Sequence, residues 1–240
     1  MKIAIVIPCY NERDNISKFV ETLLLLKKNS EWDITPIVVN DCSTDDTLLI
    51  LRQLKNIVLL DLPVKLGIGG AVQTGYRYAL NNGFDAAVQM DGDGQHPASQ
   101  LPILLQTFQK GNVDVVIGSR FLEKSGFQST ALRRVGIVYF SKLLSFLIKE
   151  KITDPTSGFR LLGKKAMQIV NIYYPDEYPE PEILIYYHHN NLKIKEVAVE
   201  MIERLGGVSS IRSWKSIYYM FKVSLGIFFA HWRLHNKINK

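Results

Sequence analysis

The sequence predicts an α/β fold, a mostly parallel sheet flanked by helices, and two patterns carry that prediction. Short β-branched runs alternate with longer stretches whose apolar residues recur at three and four, the order that parallel strands joined by crossover helices require. Each run is also nearly all apolar, as expected of strands covered on both faces. At 240 residues, 47% hydrophobic and 22% charged, the chain is long enough to bury a sizeable core and too apolar to be disordered or fibrous.

Strands are expected at Ile3–Pro8, Thr35–Asn40, Ile57–Asp61, Ala86–Met90 and Val113–Gly118. The opening MKIAIVIP runs straight into a polar turn, so it reads as a buried first strand rather than a signal peptide or membrane span. Helices are expected over about 15–28, 45–55, 69–82 and 98–110. Ile16, Phe19, Val20 and Leu23 show the helical period, and Asn82-Gly83 supplies a stop. After Gly118 the rhythm changes. A basic, apolar helix over 132–149 leads to a glycine-containing loop, TDPTSGFRLL, and then to a helix over 164–172. A Pro- and acid-rich loop from Tyr174 to Pro181 precedes a helix over 182–190 and a strand near Ile194–Met201. The globular domain spans residues 1–210 and a tail spans 211–240.

The net charge of +6 is a property of the tail. Residues 204–240 hold seven of the 29 basic residues and none of the 23 acidic ones, leaving a nearly neutral body. That distribution argues against a nucleic-acid binder. Two cysteines, Cys9 and Cys42, are too few for a disulfide scaffold and suit a reducing, cytosolic compartment.

In an open parallel sheet, ligands bind beyond the carboxyl ends of the strands, and here those ends are polar. They read Pro8-Cys9-Tyr10-Asn11-Glu12, then Asp41-Cys42-Ser43-Thr44-Asp45-Asp46-Thr47, then Asp91-Gly92-Asp93-Gly94-Gln95-His96, then Gly118-Ser119-Arg120. Two aspartates at i and i+2 can turn hard oxygen ligands toward one Mg2+ or Mn2+; the same pattern also suits a turn whose Asp side chains cap their own backbone. His96 has no partner at zinc spacing and reads as a hydrogen-bonding neighbour. Lys65-Leu66-Gly67-Ile68-Gly69-Gly70 fits neither the dinucleotide fingerprint nor the P-loop, which excludes a Rossmann dehydrogenase and a P-loop NTPase. Its glycines suit either close approach of a helix terminus to a ligand or close helix–sheet packing.

Taken in order, VIPCYNE, NDCSTDDT, GIGGAVQTGYRYA, QMDGDGQHP, GSRF, DPTSGFRLL and MIERLGGVSSI resemble the family-2 inverting glycosyltransferases, over roughly residues 3–212. The set is most similar to the dolichol-phosphate mannose synthase and polyprenyl-phosphate glycosyltransferase branch. The resemblance implies a GT-A fold that uses a nucleotide-diphosphate sugar. By motif, it assigns Pro8, Tyr10, Glu12 and Asp41 to the base and ribose, and Asp91, Asp93 and Gln95 to the ribose and metal-diphosphate. It assigns Arg120, Arg133, Arg134 and Ser141 to an acceptor phosphate, and Arg204 to a loop closing over the diphosphate. Two positions depart from the pattern: Gly92, where relatives usually carry an acidic residue or alanine, and Lys65, where an Asn often precedes the glycine-rich turn, so its diphosphate role is an expectation only.

The acceptor decides whether catalysis needs a base. A sugar hydroxyl must lose a proton to a carboxylate, for which Glu180 and Glu182 lie near the expected place. A phosphate monoester, with a second pKa of about 6, is already largely dianionic, and arginines that position it suffice. Arg120, Arg133 and Arg134 favour the phosphate, so the expected activity is hexose transfer from a UDP- or GDP-sugar to a polyprenyl or dolichyl phosphate. Transfer to a sugar hydroxyl and nucleotide-sugar binding without transfer are the alternatives.

Trp214, Ile217, Tyr218, Phe221, Leu225, Phe228, Phe229 and Trp232 share one face of a C-terminal amphipathic helix. Only ten residues separate Lys222 from Arg233, too few to span a bilayer, which takes about 20. The stripe suits an anionic membrane surface, with the enzyme peripheral on the inner, cytoplasmic face; packing on the domain or a homo-oligomer contact would use the same stripe.

Overall fold

The computed structural model describes residues 1–92, 94–123, 131–202 and 214–238, with the side chains of 131–133, 214–217 and 237–238 left aside. Its centre is a seven-stranded sheet in the order β3-β2-β1-β4-β6-β5-β7. The strands are β1 (Lys2–Cys9), β2 (Asp33–Asn40), β3 (Val58–Asp61), β4 (Ala86–Gln89), β5 (Val115–Ser119), β6 (Arg160–Gly163) and β7 (Ile194–Ala198). All pairings are parallel except those of β6, which runs antiparallel to both β4 and β5.

Alternation along the strands divides the core in two. Ile3, Ile5 and Ile7 face a layer made by α1 (Ile16–Lys28), α2 (Thr47–Gln53) and α4 (Leu101–Gln109). Ala4 and Val6 face the opposite layer, made by α3 (Gly67–Asn81), α5 (Ala131–Ile148), α6 (Lys164–Ile172), α7 (Pro179–His189) and α8 (Trp214–Ile238). Phe140 of α5 and Val6 are both fully buried in this second layer. Truncating a phenylalanine so placed to alanine costs about 3–5 kcal/mol.

Two expectations are corrected. The loop expected over TDPTSGFRLL ends in a strand, because the gap between β4 and β5 needs a partner for both, and Arg160 to Gly163 fills it. Helix α7 begins at Pro179 rather than Glu182: proline is tolerated in a first helical turn, where amides have no intrahelical acceptor. Of the two uses open to the α3 glycines, Gly69 and Gly75 show close packing. A Cβ on Gly69 would lie 2.1 Å from the Pro175 carbonyl oxygen, and one on Gly75 would lie 2.3 Å from Val6 Cγ1.

The expected boundary near residue 210 falls outside the described residues. Beyond it α8 joins the core, burying Val223, Ile227, Ala230 and Leu234.

Candidate active site

The ends of β1 and β2 lie together, with the Asp41 amide donating to the Cys9 carbonyl at 2.8 Å. Asp41 is buried, and its two carboxylate oxygens accept the amides of Leu66 at 2.6 Å and Gly67 at 2.9 Å. A carboxylate thus already meets the positive end of α3, the place where a phosphate would otherwise bind. The clamp pins the turn that carries Lys65, whose ammonium lies 3.3 Å from the centroid of the Tyr10 ring. Pro8 is buried, and Tyr10 is 37% exposed. Glu12 caps the entrance to α1, its carbonyl accepting the Asn15 and Ile16 amides and its carboxylate the Asn15 amide group. Burial, with the charges of Glu12 and Asp45, pushes the Cys9 thiol up to about 12, leaving it inert. Cys9 and Cys42 are both free.

Beyond β4, the Asp91 amide donates to His96 Nδ1 at 3.1 Å, and His96 stacks on Phe159 with centroids 5.1 Å apart. Asp91 Oδ1 accepts a long contact of 3.4 Å from Gln89 Nε2, and no described residue donates to Oδ2. Gln89 is buried, and its Oε1 has no partner among the described residues. A carboxylate oxygen and a buried amide oxygen, neither with a donor among the described residues, are the hard-oxygen groups that Mg2+ or Mn2+ favours, so this rim fits a divalent ion. Asp93 lies outside the described residues. Gln95 follows it with its carbonyl accepting the Ile202 amide. Among the described residues no group of three His, Cys, Asp or Glu side chains is gathered around one point.

Gly158 brings the loop before β6 against this rim. A Cβ there would lie 2.8 Å from Gln89 Nε2 and 3.6 Å from Asp91 Oδ1. The loop is held by a chain of buried charges. Arg120 donates to both oxygens of Asp154, Nε to Oδ2 at 2.7 Å and Nη2 to Oδ1 at 2.8 Å, and Nη2 also reaches Thr156. Burial opposes the Arg120 charge, and Asp154 outweighs it, so its pKa is raised. No described residue accepts from Nη1. Glu196 on β7 in turn accepts the Thr153 and Asp154 amides and the Thr153 hydroxyl, at 2.7, 2.8 and 2.8 Å. Arg160, 2% exposed, donates to the carbonyls of Pro155, Ser157 and Glu180, which ties the loop to the start of α7. Asp154, Glu196, Arg160, Gly158 and Gln89 were not assigned roles from the sequence. The available signal was charge inside apolar runs, in GFRLL and IKEVAVE.

The remaining expected residues are scattered. Glu182 does not face the strand ends: Oε1 accepts the Tyr173 hydroxyl at 2.6 Å, and Oε2 sits where a Cβ on Gly226 of α8 would reach 2.4 Å. It lines a separate hollow of about 550 Å3 with Gln73, Arg77, Tyr173, Lys222 and Val223, a lining that contains none of Pro8, Tyr10, Asp41, Asp91 or Arg120. Ser141 donates to the Ile152 carbonyl, so its hydroxyl proton is already committed within the fold. Arg134 is exposed on α5; Arg133 lies one residue earlier with its side chain undescribed. Arg204 lies outside the described residues.

In a mostly parallel sheet ligands bind beyond the carboxyl ends of the strands, and here that rim gathers carboxylates and amides. The profile of Glycosyl transferase family 2 matches residues 4–169, and the chain belongs to that family of glycosyltransferases. It is similar over 247 residues, at 27% identity, to the UDP-N-acetylglucosamine–dolichyl-phosphate N-acetylglucosaminyltransferase of Methanococcus voltae, covering 93% of this chain and 96% of that protein. It is 25% identical over 245 residues to the polyprenol monophosphomannose synthase of Mycolicibacterium smegmatis, covering 98% of this chain and 88% of the relative. Among solved structures, it is similar to glucosyl-3-phosphoglycerate synthase from Mycobacterium tuberculosis in complex with Mn2+, uridine-diphosphate and phosphoglyceric acid. That match has a TM-score of 0.71 and 18% identity, and covers 96% of this chain and 78% of the other. At that identity the likeness shows the fold, which is GT-A.

Proposed function

We propose that the protein transfers a hexose, with inversion, from a UDP- or GDP-sugar to a polyprenyl or dolichyl phosphate. The observation that carries the reading is similarity along nearly the whole chain to two enzymes whose names specify a dolichyl-phosphate acceptor and a polyprenol monophosphomannose product. The position of Glu182 supports it: a carboxylate already engaged by Tyr173 is poorly suited to take a proton from an acceptor hydroxyl.

Pro8, Tyr10, Glu12, Asp41 and Lys65 would hold the nucleoside. Asp91, Asp93 and Gln95 would hold Mg2+ or Mn2+, which supplies charge compensation to the departing diphosphate when bound. Arg204 would add positive charge at the same place. Arg120 through Nη1, with Arg133 and Arg134, would orient the acceptor dianion toward the anomeric carbon. Its oxygen forms the new bond as the bond to the nucleoside diphosphate breaks, and no proton need be removed. Ser141 would act by fixing the turn at Ile152 beneath α5. The site would work at the inner, cytoplasmic membrane face, with the protein bound peripherally and α8 at the lipid surface.

Incubation with labelled UDP- and GDP-sugars, Mn2+ and polyprenyl phosphate tests this. A mild-acid-labile lipid product is expected; product formed only with a sugar acceptor, or metal-dependent donor binding without turnover, overturns it.

A further inference from the structure

Arg120 is held on one side only. A guanidinium carries five N–H donors in a fixed fork. Here the Nε proton and both protons on Nη2 are spent on Asp154 and Thr156, at 2.7, 2.8 and 2.9 Å, which leaves the two on Nη1. Among the described residues the one fully buried side-chain polar atom without a partner is Gln89 Oε1, so Nη1 is open to solvent rather than sealed in the core. The direction in which that edge faces is set by Thr153 and Asp154, and these two are themselves held from the last strand of the sheet.

Glu196 lies on the edge strand β7, opposite Ile117 of β5. Its Oε2 accepts the Thr153 amide and hydroxyl, and its Oε1 accepts the Asp154 amide, so donors from two consecutive residues converge on one carboxylate. The hydroxyl bond has a direction. A carboxylate only accepts, so Thr153 Oγ1 donates to Glu196 and must itself accept from Ser119 Oγ, 2.7 Å away. Ser119 Oγ accepts the Phe121 amide at 3.2 Å, and the Arg120 amide donates to Asp154 Oδ2 at 3.2 Å. The backbone on both sides of Arg120 and its side chain are thus referred to Thr153 and Asp154, and those two are referred to Glu196. We infer that Glu196 is a positioning residue for the acceptor: acting through Thr153 and Asp154, it fixes the edge of Arg120 that presents Nη1 to the phosphate, without touching the phosphate itself. The inference rests on the lipid-phosphate reading and adds to it a residue at the edge of the sheet. A brace that served the fold alone would behave differently, because its loss would lower the amount of folded enzyme and leave the affinity of each folded molecule unchanged.

Steady-state transfer by the full chain, with donor and polyprenyl phosphate varied in turn, tests this. Glu196→Gln should raise the acceptor KM roughly tenfold, since misplacing a positioning group by about 1 Å can cost about 10²-fold, and should leave the donor KM unchanged. Thr153→Val keeps the shape and loses the hydroxyl, so it should move the acceptor KM the same way by less, and Thr153→Ser should recover most of that loss. Calorimetric titration with farnesyl phosphate, a short acceptor, reads affinity without turnover. In an Arg120→Lys background, Glu196→Gln should weaken that binding little further, because residues acting through one another are not additive. The inference is overturned if Glu196→Gln lowers kcat alone, or if it weakens acceptor binding by the same factor with and without Arg120. If Glu196→Gln does not fold, the Thr153→Val and Thr153→Ser pair makes the same comparison, and equal acceptor KM values in the two overturn it. A wild type that forms no lipid product overturns the lipid-phosphate reading and the inference with it, whereas these KM comparisons in an active wild type bear on the inference alone.

Discussion

Arg120 and Asp154 form a buried, two-pronged ion pair, with side chains 9% and 0% exposed. Asp154→Asn would leave a buried guanidinium without its counter-charge, which typically costs about 3–5 kcal/mol. A loss of unfolding free energy of that size, read from urea denaturation, is expected, and a midpoint within error of wild type would show the pair to be dispensable.

Gly158→Ala tests the closeness of the loop to the rim at Asp91. Its methyl would arrive 2.8 Å from Gln89 Nε2, too near for both to stay in place. Overpacking of this kind costs about 1–3 kcal/mol, and here it would be felt at Asp91. Titrating the transfer rate with Mn2+ should show a higher half-saturating concentration in the variant.

Glu182→Gln separates the two acceptor chemistries. Loss of a general base costs about 10²–10⁴ in rate, whereas loss of a carboxylate that only accepts the Tyr173 hydroxyl should cost far less. A kcat close to wild type on polyprenyl phosphate is expected; a collapse of kcat with unchanged KM would restore Glu182 as a base.

Glu196 gives the fold a pH signature. Burial raises its pKa above the ordinary 4.5, against the lowering effect of its hydrogen bonds to Asp154 and Thr153. Between 4.5 and the raised value the folded protein keeps a proton that the unfolded chain has released. Its stabilising contribution is therefore full below 4.5 and declines as pH rises through the folded pKa. Glu196→Gln should be less stable by about 1–3 kcal/mol, because its amide would face backbone amides. The deficit should shrink as pH rises through that window, read from denaturation midpoints across the range; a pH-independent deficit would count against the assignment.

The parallel strands were legible because runs such as IAIVIP and ITPIVVN are apolar on both faces, which few other structures require. Strand β6 was not, since four residues following a Pro-Thr-Ser-Gly turn carry no periodic signal and owe their conformation to the gap they fill. Helix α7 is longer than its sequence suggests, because Pro179 and Pro181 look like loop although a first turn tolerates both. For the site, Asp41 and Asp91 stood out by following strands. The network of Arg120, Asp154 and Glu196 spans three segments distant in sequence, and no spacing rule joins them. The exposed stripe of α8 was visible in its period, but the buried stripe opposite has that same period and was masked by it.

The reversed direction of β6 has a mechanical consequence. A parallel strand delivers only its exit to the catalytic rim and must send the chain back through a helix. Traversed the other way, β6 presents its entrance there, so the segment carrying Asp154 and Gly158 arrives at the same rim from the opposite sense of travel. One edge of the sheet thereby receives outgoing loops that carry Asp41 and Asp91 and an incoming loop that braces them, wedged between neighbours that both run against it.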